Sequence, residues 1–179
     1  MAEFIDLHLR VKALESKARE LGFSRAVTPL HVVLRKSGDL KLVKTSGLQS
    51  VEGKSSDLLR KACLRARVLI NPVFVRNYQR DDGLIRAVKE HDCVFEIPVA
   101  YLLCERPAEK AKRIRRVGEF VKRCVKLKTS FVLVSDASEE AELKSPREVI
   151  AVGVLLGLTQ ELAGHCIGKR ASAFLGEVE

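Results

Sequence analysis

Basic side chains that could hold phosphate groups gather in three parts of the chain. The first lies at 60–67, the second runs through 110–128, and the third combines 144–147 with 169–170. Lysine and arginine neutralise phosphates and release counterions, which gives an affinity for nucleic acid that does not depend on base sequence. The 32 Lys and Arg exceed the 23 Asp and Glu, for a net charge of +9. A polyanionic partner, nucleic acid above all, is therefore favoured.

Arg147 stands out because it falls in the first turn of a predicted helix, where the helix dipole is already positive. Backbone N–H groups at that turn, together with Arg147, would form an anion site suited to a phosphate. The competing interpretation is a salt bridge to an acidic residue of the preceding loop, Asp136, Glu139 or Glu140. The basic face of the helix at 107–128 likewise has a simpler explanation, as a solvated surface.

Arg76 and Arg80 lie in a predicted loop after a strand. Tyr78 lies between them in the sequence, and Phe74 precedes Arg76. Aromatic rings next to arginines are suited to stacking on unpaired bases. Phe74 is also apolar enough to belong to the core, which is the interpretation that we favour for it.

A metal site has one short fragment in its favour, Asp6-Leu7-His8 at the end of the first predicted strand. Alternation along a strand would direct both polar side chains to one side. The next residue in that alternation is Arg10, a cation that would repel a metal. We therefore expect no metal on this chain.

Neither the histidines nor the cysteines form a recognisable catalytic or zinc pattern. Five cysteines occur without a CxxC pair, which predicts reduced, mostly buried thiols. They are Cys63, Cys93, Cys104, Cys124 and Cys166. There is no secretory signal pattern and no apolar run of about 18 residues, so we expect a cytoplasmic protein without a membrane partner.

The stretch 129–158 is typical of one unit of an α/β fold. Residues 131–134 form an unbroken apolar run, which predicts a parallel strand covered on both faces. Ser145, Pro146 and Glu148 then have the pattern of a helix start with a capping box. The helix at 149–156 is apolar on nearly every face and is expected to be well buried.

Strands and helices alternate about six times along the chain, which predicts a parallel α/β architecture, open or closed into a barrel. The chain is shorter than the roughly 250 residues of an eight-unit barrel, so shortened units are expected within one domain spanning 1–179. The predicted strands lie at 2–9, 24–28, 47–52, 68–70, 93–97 and 131–134, and the helices at 11–21, 55–63, 83–88, 107–128 and 149–156, with helical turns at 160–174. Segments 31–34 and 40–43 indicate a hairpin or an extended loop.

Five segments are distinctive in their order and spacing: AEFIDLHL, LQSVEG, the strand ending in INP, AVKEHDCVFEIP and FVLVSDASEEAELKSPREVIAVGVLLGL. They resemble the family of archaeal ribonuclease P protein component 3, the homologues of the eukaryotic 30-kilodalton subunit of ribonuclease P. The resemblance covers about residues 2–175, and LKSPREVIAVGVLLGL is its most specific part.

The resemblance implies a TIM-barrel-like fold similar to the PHP metal-dependent phosphoesterases. Residues 29–47 depart from the family pattern, so the barrel is expected to be incomplete or shortened. The phosphoesterases begin with Asp-x-His-x-His, whereas this chain has Arg10 at the second histidine position. We therefore expect no catalytic residue, metal or other cofactor on the chain itself.

The resemblance also implies a function, as a protein subunit of ribonuclease P. In that enzyme the RNA removes 5′ leaders from precursor tRNA with Mg²⁺, and the proteins bind and stabilise the RNA. The implied partners are the ribonuclease P RNA, a Pop-five-type protein subunit and, indirectly, precursor tRNA. The residues that we predict to bind RNA are Arg76, Arg80, Arg113, Lys144 and Arg147, followed by Lys54 and Lys169.

Two other functions stay open at this point. One is a stand-alone PHP-type metal-dependent phosphoesterase, whose site would use Asp6, His8, Glu52 and His91. Bound metal and nuclease activity without RNA would indicate it. The other is a scaffold that contacts only protein, which would form a complex insensitive to salt and would not bind RNA.

Overall fold

The computed structural model describes residues 3–103 and 106–178, without the side chains of residues 177 and 178. Ala2, in the first predicted strand, and Cys104 lie outside the described residues. The strands are β1 (Ile5–Asp6), β2 (Arg25–Ala26), β3 (Leu30–Leu34), β4 (Gln49–Gly53), β5 (Leu69–Asn71), β6 (Val94–Pro98) and β7 (Phe131–Val134). The helices are α1 (Glu15–Glu20), α2 (Ser56–Cys63), α3 (Asp82–Glu90), α4 (Pro107–Leu127), α5 (Pro146–Leu155), α6 (Gln160–Ile167) and α7 (Lys169–Val178).

The strands form two parallel sheets, one of β3 to β7 in chain order and one of β1 and β2. Backbone hydrogen bonds connect the end of β1 to the end of β7: Asp136 N–H donates to the His8 carbonyl at 2.8 Å, and Arg10 N–H donates to the Ala137 carbonyl at 2.9 Å. Together the strands make an arc with the spatial order β2-β1-β7-β6-β5-β4-β3. Among the described residues no strand pairing joins β2 to β3. The prediction of an incomplete barrel of α/β units is therefore confirmed.

Two apolar clusters fill the fold. The larger one lies between the outer face of the sheet and the helices, with Phe120 of α4 packed edge-to-face on Phe95 and Tyr78. The smaller one lies inside the arc, where Val94 and Val132 meet side chains of the last helix, α7, such as Phe174. The amino-terminal part of the interior is consequently apolar and covered by α7, which leaves the carboxyl ends of the strands open.

The local signals in the sequence correspond to the helix boundaries. Ser145 accepts a hydrogen bond from Glu148 N–H while the Glu148 side chain binds Ser145 N–H, so the capping box that starts α5 is confirmed. Side-chain caps also start α2, where Ser55 accepts a hydrogen bond from Leu58 N–H, and α3, where Asp81 accepts one from Leu84 N–H. None of the described helices has the length and apolar content that a bilayer crossing requires.

The structure decides one alternative and corrects one expectation about the fold. Of the hairpin and the extended loop, the segment after β3 is the extended loop, because the Asp39 carboxylate accepts the backbone N–H groups of Arg35 and Lys36 and starts a 3-10 turn at Ser37–Leu42. The expectation that α5 is well buried is wrong. Val154 is 47% exposed and Leu155 is 62% exposed, so one side of this apolar helix faces solvent.

Candidate functional site

A group of polar side chains lies in the open part of the arc, on residues within the strands and on residues just after β1 and β7. We call it the inner polar network. Its members are Asp6, His8, Arg10, His31, Ser50, Glu52, Glu96 and Asp136. They come from β1, β3, β4, β6 and β7 or from the residues directly after these strands. Parallel strands that end at one edge therefore bring together side chains that are far apart in sequence.

His8 is fully buried between two carboxylates. Its Nδ1 lies 2.9 Å from Glu96 Oε2, and its Nε2 lies 3.6 Å from Asp136 Oδ1. The other oxygen of Glu96 accepts a hydrogen bond from the Ser50 hydroxyl at 2.6 Å. Burial acts to lower the pKa of His8, but the neighbouring negative charge of Glu96, supported by Asp136, raises it on balance. These contacts therefore favour the protonated form of the ring.

Arg10 is the centre of the network. Its Nε and Nη2 donate to both oxygens of Asp136, the latter at 3.0 Å, and Nη2 also donates to Glu52 at 3.2 Å. Its Nη1 lies 2.9 Å from His31 Nε2. The same nitrogen of His31 lies 3.4 Å from Glu52 Oε1, so the ring stands between the guanidinium of Arg10 and the carboxylate of Glu52. Partial burial acts to lower the pKa of Arg10, yet Asp136 and Glu52 raise it, so the group stays cationic.

The residues present do not fit a resident divalent metal. The carboxylates of Glu52 and Asp136 already share a fixed cation, Arg10, and the residues described by the structure include no group of three or more side chains placed to hold a metal ion. Asp6 points its Oδ1 to the backbone N–H groups of His8 and Ser135. His91 is exposed after α3, at the amino side of β6, away from the network.

Four of the predicted RNA-binding residues lie at the open, carboxyl edge. Lys54 follows β4, and Arg76 and Arg80 follow β5; all three are exposed. Arg113 of α4 is half-buried over the ring of Tyr101, 4.4 Å from its centre, and donates to the Tyr101 carbonyl at 2.7 Å. Arg113 therefore has a structural contact in addition to any RNA contact.

The other three predicted residues are not at this edge. Lys144 donates to the carbonyls of Ala141 and Leu143, at 2.8 and 3.1 Å. The segment between β7 and α5 runs down beside α1, so that Pro146 packs against Gly22 and the exposed Arg147 begins α5 there. The predicted alternative, a salt bridge from Arg147 to Asp136, Glu139 or Glu140, is wrong: Asp136 binds Arg10, and Arg147 forms no ion pair among the described residues.

Lys169 lies at the opposite edge, near the amino ends of the strands. It lines a cavity together with Glu3 and Phe4, which precede β1. The structure thus separates Lys169 from Lys54, Arg76 and Arg80.

Phe74 was assigned to the wrong environment by sequence reasoning. Its side chain is 44% exposed, whereas Tyr78 is only 2% exposed. The flanking Val73 and Val75 are both buried, so the in-and-out alternation of this short segment was the signal that could have placed Phe74 outside. Arg35, the first residue after β3, was not among the candidates, because its proximity to Lys54 depends on the register of β3 and β4.

The family model of the RNase P subunit p30 matches residues 12–178. The chain belongs to this family. A chain of a cryo-EM structure of archaeal ribonuclease P with mature tRNA has a similar fold, with a TM-score of 0.64 and 19% sequence identity. The alignment covers 97% of the present chain and 90% of that chain. No curated protein matches the sequence.

Membership of the p30 family agrees with the geometry of the open edge. The stand-alone phosphoesterase is not favoured, because Arg10 binds the carboxylate of Glu52 and His91 lies away from Asp6 and His8. In this chain, the inner polar network is a structural element, and the exposed cations Lys54, Arg76 and Arg80 lie outside it.

Replacement of Arg10 by methionine should destabilise the fold. It would leave the mostly buried carboxylates of Asp136 and Glu52 without their cation, and we expect a loss of about 2–4 kcal/mol in the free energy of unfolding at pH 7. The matched control is Arg123→Met, which breaks a pair with Asp82 in which both side chains are 41% exposed. That loss should stay below about 1 kcal/mol. Equal losses in urea unfolding would contradict the central role of Arg10.

Asp6 should make stability fall as the pH rises. Burial raises the pKa of its carboxyl to about 6 from 3.8, despite the hydrogen bonds from Ser135 and His8. Between these values the folded state keeps a proton that the unfolded state has released, so each rise in pH costs stability. Asp6→Asn keeps the acceptor oxygen without the ionisation. Its free energy of unfolding should match the wild type near pH 4 and exceed it by up to about 3 kcal/mol at pH 7.

The control for this titration is Asp57→Asn, since the side chain of Asp57 is 65% exposed. Urea unfolding at pH 4, 5, 6 and 7 measures both variants against the wild type. A difference between Asp6→Asn and the wild type that is constant across these pH values would show that Asp6 is ionised throughout.

Proposed function

We propose that this chain acts within ribonuclease P as an RNA-binding protein that stabilises the catalytic RNA, while the RNA removes the 5′ leader of precursor tRNA. The observation that carries the proposal is the exposed basic edge formed by Lys54, Arg76 and Arg80 above the inner polar network. Membership of the p30 family supplies the enzyme to which this edge belongs.

The basic edge is suited to phosphate groups because its cations are free. Lys54, Arg76 and Arg80 form no ion pair with any residue that the structure describes, and all three are exposed. Cations on loops after strands can contact an RNA backbone without competing with internal carboxylates. Such contacts fix position and shape and do not select a base sequence.

The chain itself is proposed to contribute no catalytic group. A catalytic metal site would need the carboxylates that Arg10 holds, and the proposed Mg²⁺ of the reaction enters with the RNA. The similar solved chain belongs to an archaeal ribonuclease P with mature tRNA, which supports RNA and tRNA as the partners of the assembly. We propose the cytoplasm as its location.

The test is reconstitution of precursor tRNA cleavage from the ribonuclease P RNA and the partner subunit, with and without this chain, at moderate Mg²⁺. The chain should stimulate cleavage and should not cleave alone. The double variant Arg76→Ala and Arg80→Ala should weaken binding to the RNA about 5- to 30-fold at 0.15 M salt and lower the dependence on salt, because two phosphate contacts are lost.

Arg65→Ala is the matched control, since Arg65 is equally exposed but lies after α2 at the amino edge. It should change RNA binding less than twofold. Unchanged binding and stimulation in the Arg76 and Arg80 double variant would remove the basic edge from the proposal. Cleavage by the chain alone, lost with a chelator, would instead establish the phosphoesterase.

Lys144, Arg147 and Lys169 stay predictions as RNA-binding residues. Their positions, beside α1 and at the amino edge, mean that they could contact RNA only if it wraps around the fold. Arg113 stays a prediction at the basic edge, next to Tyr101.

A Pop-five-type subunit is proposed as the protein partner, as the family resemblance implies. An apolar strip on α5 supports a protein contact: Ala151, Val154 and Leu155 are exposed on one side of the helix. Exposed apolar side chains grouped on one surface are typical of protein–protein contacts. The strip is on the side of the fold and leaves the basic edge free.

Leu155→Asp should prevent co-elution with the Pop-five-type subunit on gel filtration at micromolar concentration, because it places a charge in the apolar contact. Lys122→Asp, on α4 beside Gly157 at the end of α5, changes the charge next to the strip without altering the strip itself. That variant should still co-elute. Co-elution of the Leu155 variant at wild-type level would exclude α5 as the contact surface.

A further inference from the structure

A cavity of about 650 Å³ opens at the carboxyl ends of β3 and β4. Its size is in the range of sites that hold small organic groups, roughly 300–1,000 Å³. Its walls are formed by Val33, Leu34, Arg35, Glu52, Gly53, Lys54, Ser55 and Phe74. The cavity adjoins the inner polar network through Glu52 and the basic edge through Lys54, but neither of these features accounts for its apolar wall.

The apolar wall includes an aromatic ring. Phe74 is 44% exposed and is held by an edge-to-face contact with Tyr101, with ring centres 6.1 Å apart and planes at 76°. Tyr101 is fixed in turn by the guanidinium of Arg113 over its ring. Phe74 is therefore a positioned ring, nearly half open to the cavity and solvent, and Val33, 37% exposed, adds apolar surface.

Two cations flank the cavity. Leu34 of β3 pairs with Gly53 of β4, so the next residues on the two strands, Arg35 and Lys54, are neighbours at the rim. Both side chains are exposed, and neither forms an ion pair in the described part of the chain. The helix α2, which begins one residue after Ser55, directs the positive end of its dipole to the same rim.

A carboxylate lies deeper in the cavity wall. Glu52 has a side chain only 14% exposed, and although burial acts to raise its pKa, contacts from His31 and Arg10 lower it on balance. This negative charge opposes entry of a phosphate beyond the rim. A nucleotide bound here would therefore have its phosphate at the rim and its flat, uncharged base inside the cavity.

We propose that this cavity binds one unpaired nucleotide of RNA, with its base stacked on Phe74 and a flanking phosphate bound by Arg35 and Lys54. The inference rests on the proposed RNA-binding function and adds a stacking site to it. Base–aromatic stacking accepts any base, so the site recognises an unpaired nucleotide rather than a sequence.

The test uses the full chain and two probes, a nine-nucleotide unstructured RNA and a perfectly paired duplex of similar length. Phe74→Ala should weaken binding of the single strand about 5- to 150-fold in fluorescence anisotropy, because a stacking contact is lost. Binding of the duplex should be unchanged, since it has no unpaired base to insert. Phe74→Tyr keeps a stacking ring and should bind both probes within twofold of the wild type.

Lys54→Ala separates the phosphate contact from the stacking contact. It should reduce the slope of log affinity against log salt for the single strand by about 0.7, whereas Phe74→Ala should leave that slope unchanged. Thermal unfolding of each variant shows whether its fold is retained. A second readout does not depend on variants: ultraviolet crosslinking of a bromouridine-substituted single strand to the wild type should label the peptide that contains Phe74.

The failure of this inference differs from failure of the proposed function. One outcome would contradict the nucleotide site alone: Phe74→Ala binds the single strand normally, and no crosslink maps to the peptide that contains Phe74. If the Arg76 and Arg80 double variant still binds more weakly than the wild type in that case, the basic edge is retained. If the wild type binds neither probe nor the ribonuclease P RNA, both are wrong. Loss of partner-subunit binding by Phe74→Ala, with RNA binding intact, would make the cavity a protein contact.

Discussion

The contacts of one guanidinium hold the open end of this fold together. Backbone hydrogen bonds close the arc everywhere except between β2 and β3, where no pairing is present among the described strands. Arg10 extends from the β1 side to His31 on β3 and Glu52 on β4, and it is anchored by Asp136 after β7. The side-chain contacts of Arg10 thus connect β1 and β7 to β3 and β4, across the gap where no strand pairing is present.

The two ends of the arc are stabilised by different interactions. At the amino ends, Phe174 and Leu175 of α7 fill the interior with apolar surface. In the open part of the arc, His8 contacts the carboxylate of Glu96, and Arg10 pairs with those of Glu52 and Asp136. Because these internal cations lie against internal carboxylates, the exposed cations of the outer surface are better placed to bind an external anion. The same interactions that hold the open end of the arc therefore leave external binding to the residues around it.

Much of the fold could be predicted from the sequence because its signals are local. The buried run at β7 and the capping box of α5 depend on neighbouring residues alone, and both predictions are confirmed. For Arg10, the sequence predicted only that its charge would repel a metal. Its contacts with His31, Glu52 and Asp136 could not be predicted, because these partners come from strands far away in sequence. The edge to which Lys169 and Arg147 belong was not predictable either, since it depends on the path of the chain around α1 and α7.

The exposed side of α5 shows why composition could not decide between a core helix and a contact surface. A helix that is apolar on nearly every face has the same sequence pattern whether a protein neighbour is part of its own chain or a separate one. The structure covers only one side, with Val149 and Gly153 buried and Val154 and Leu155 exposed. In a subunit of an assembly, the remaining apolar side can be buried by a partner while the basic edge stays open.

Three surfaces of the fold are thus separate. They are the amino end covered by α7, the basic carboxyl edge and the apolar side of α5. Contact with RNA and contact with a protein can then occur at the same time without competition.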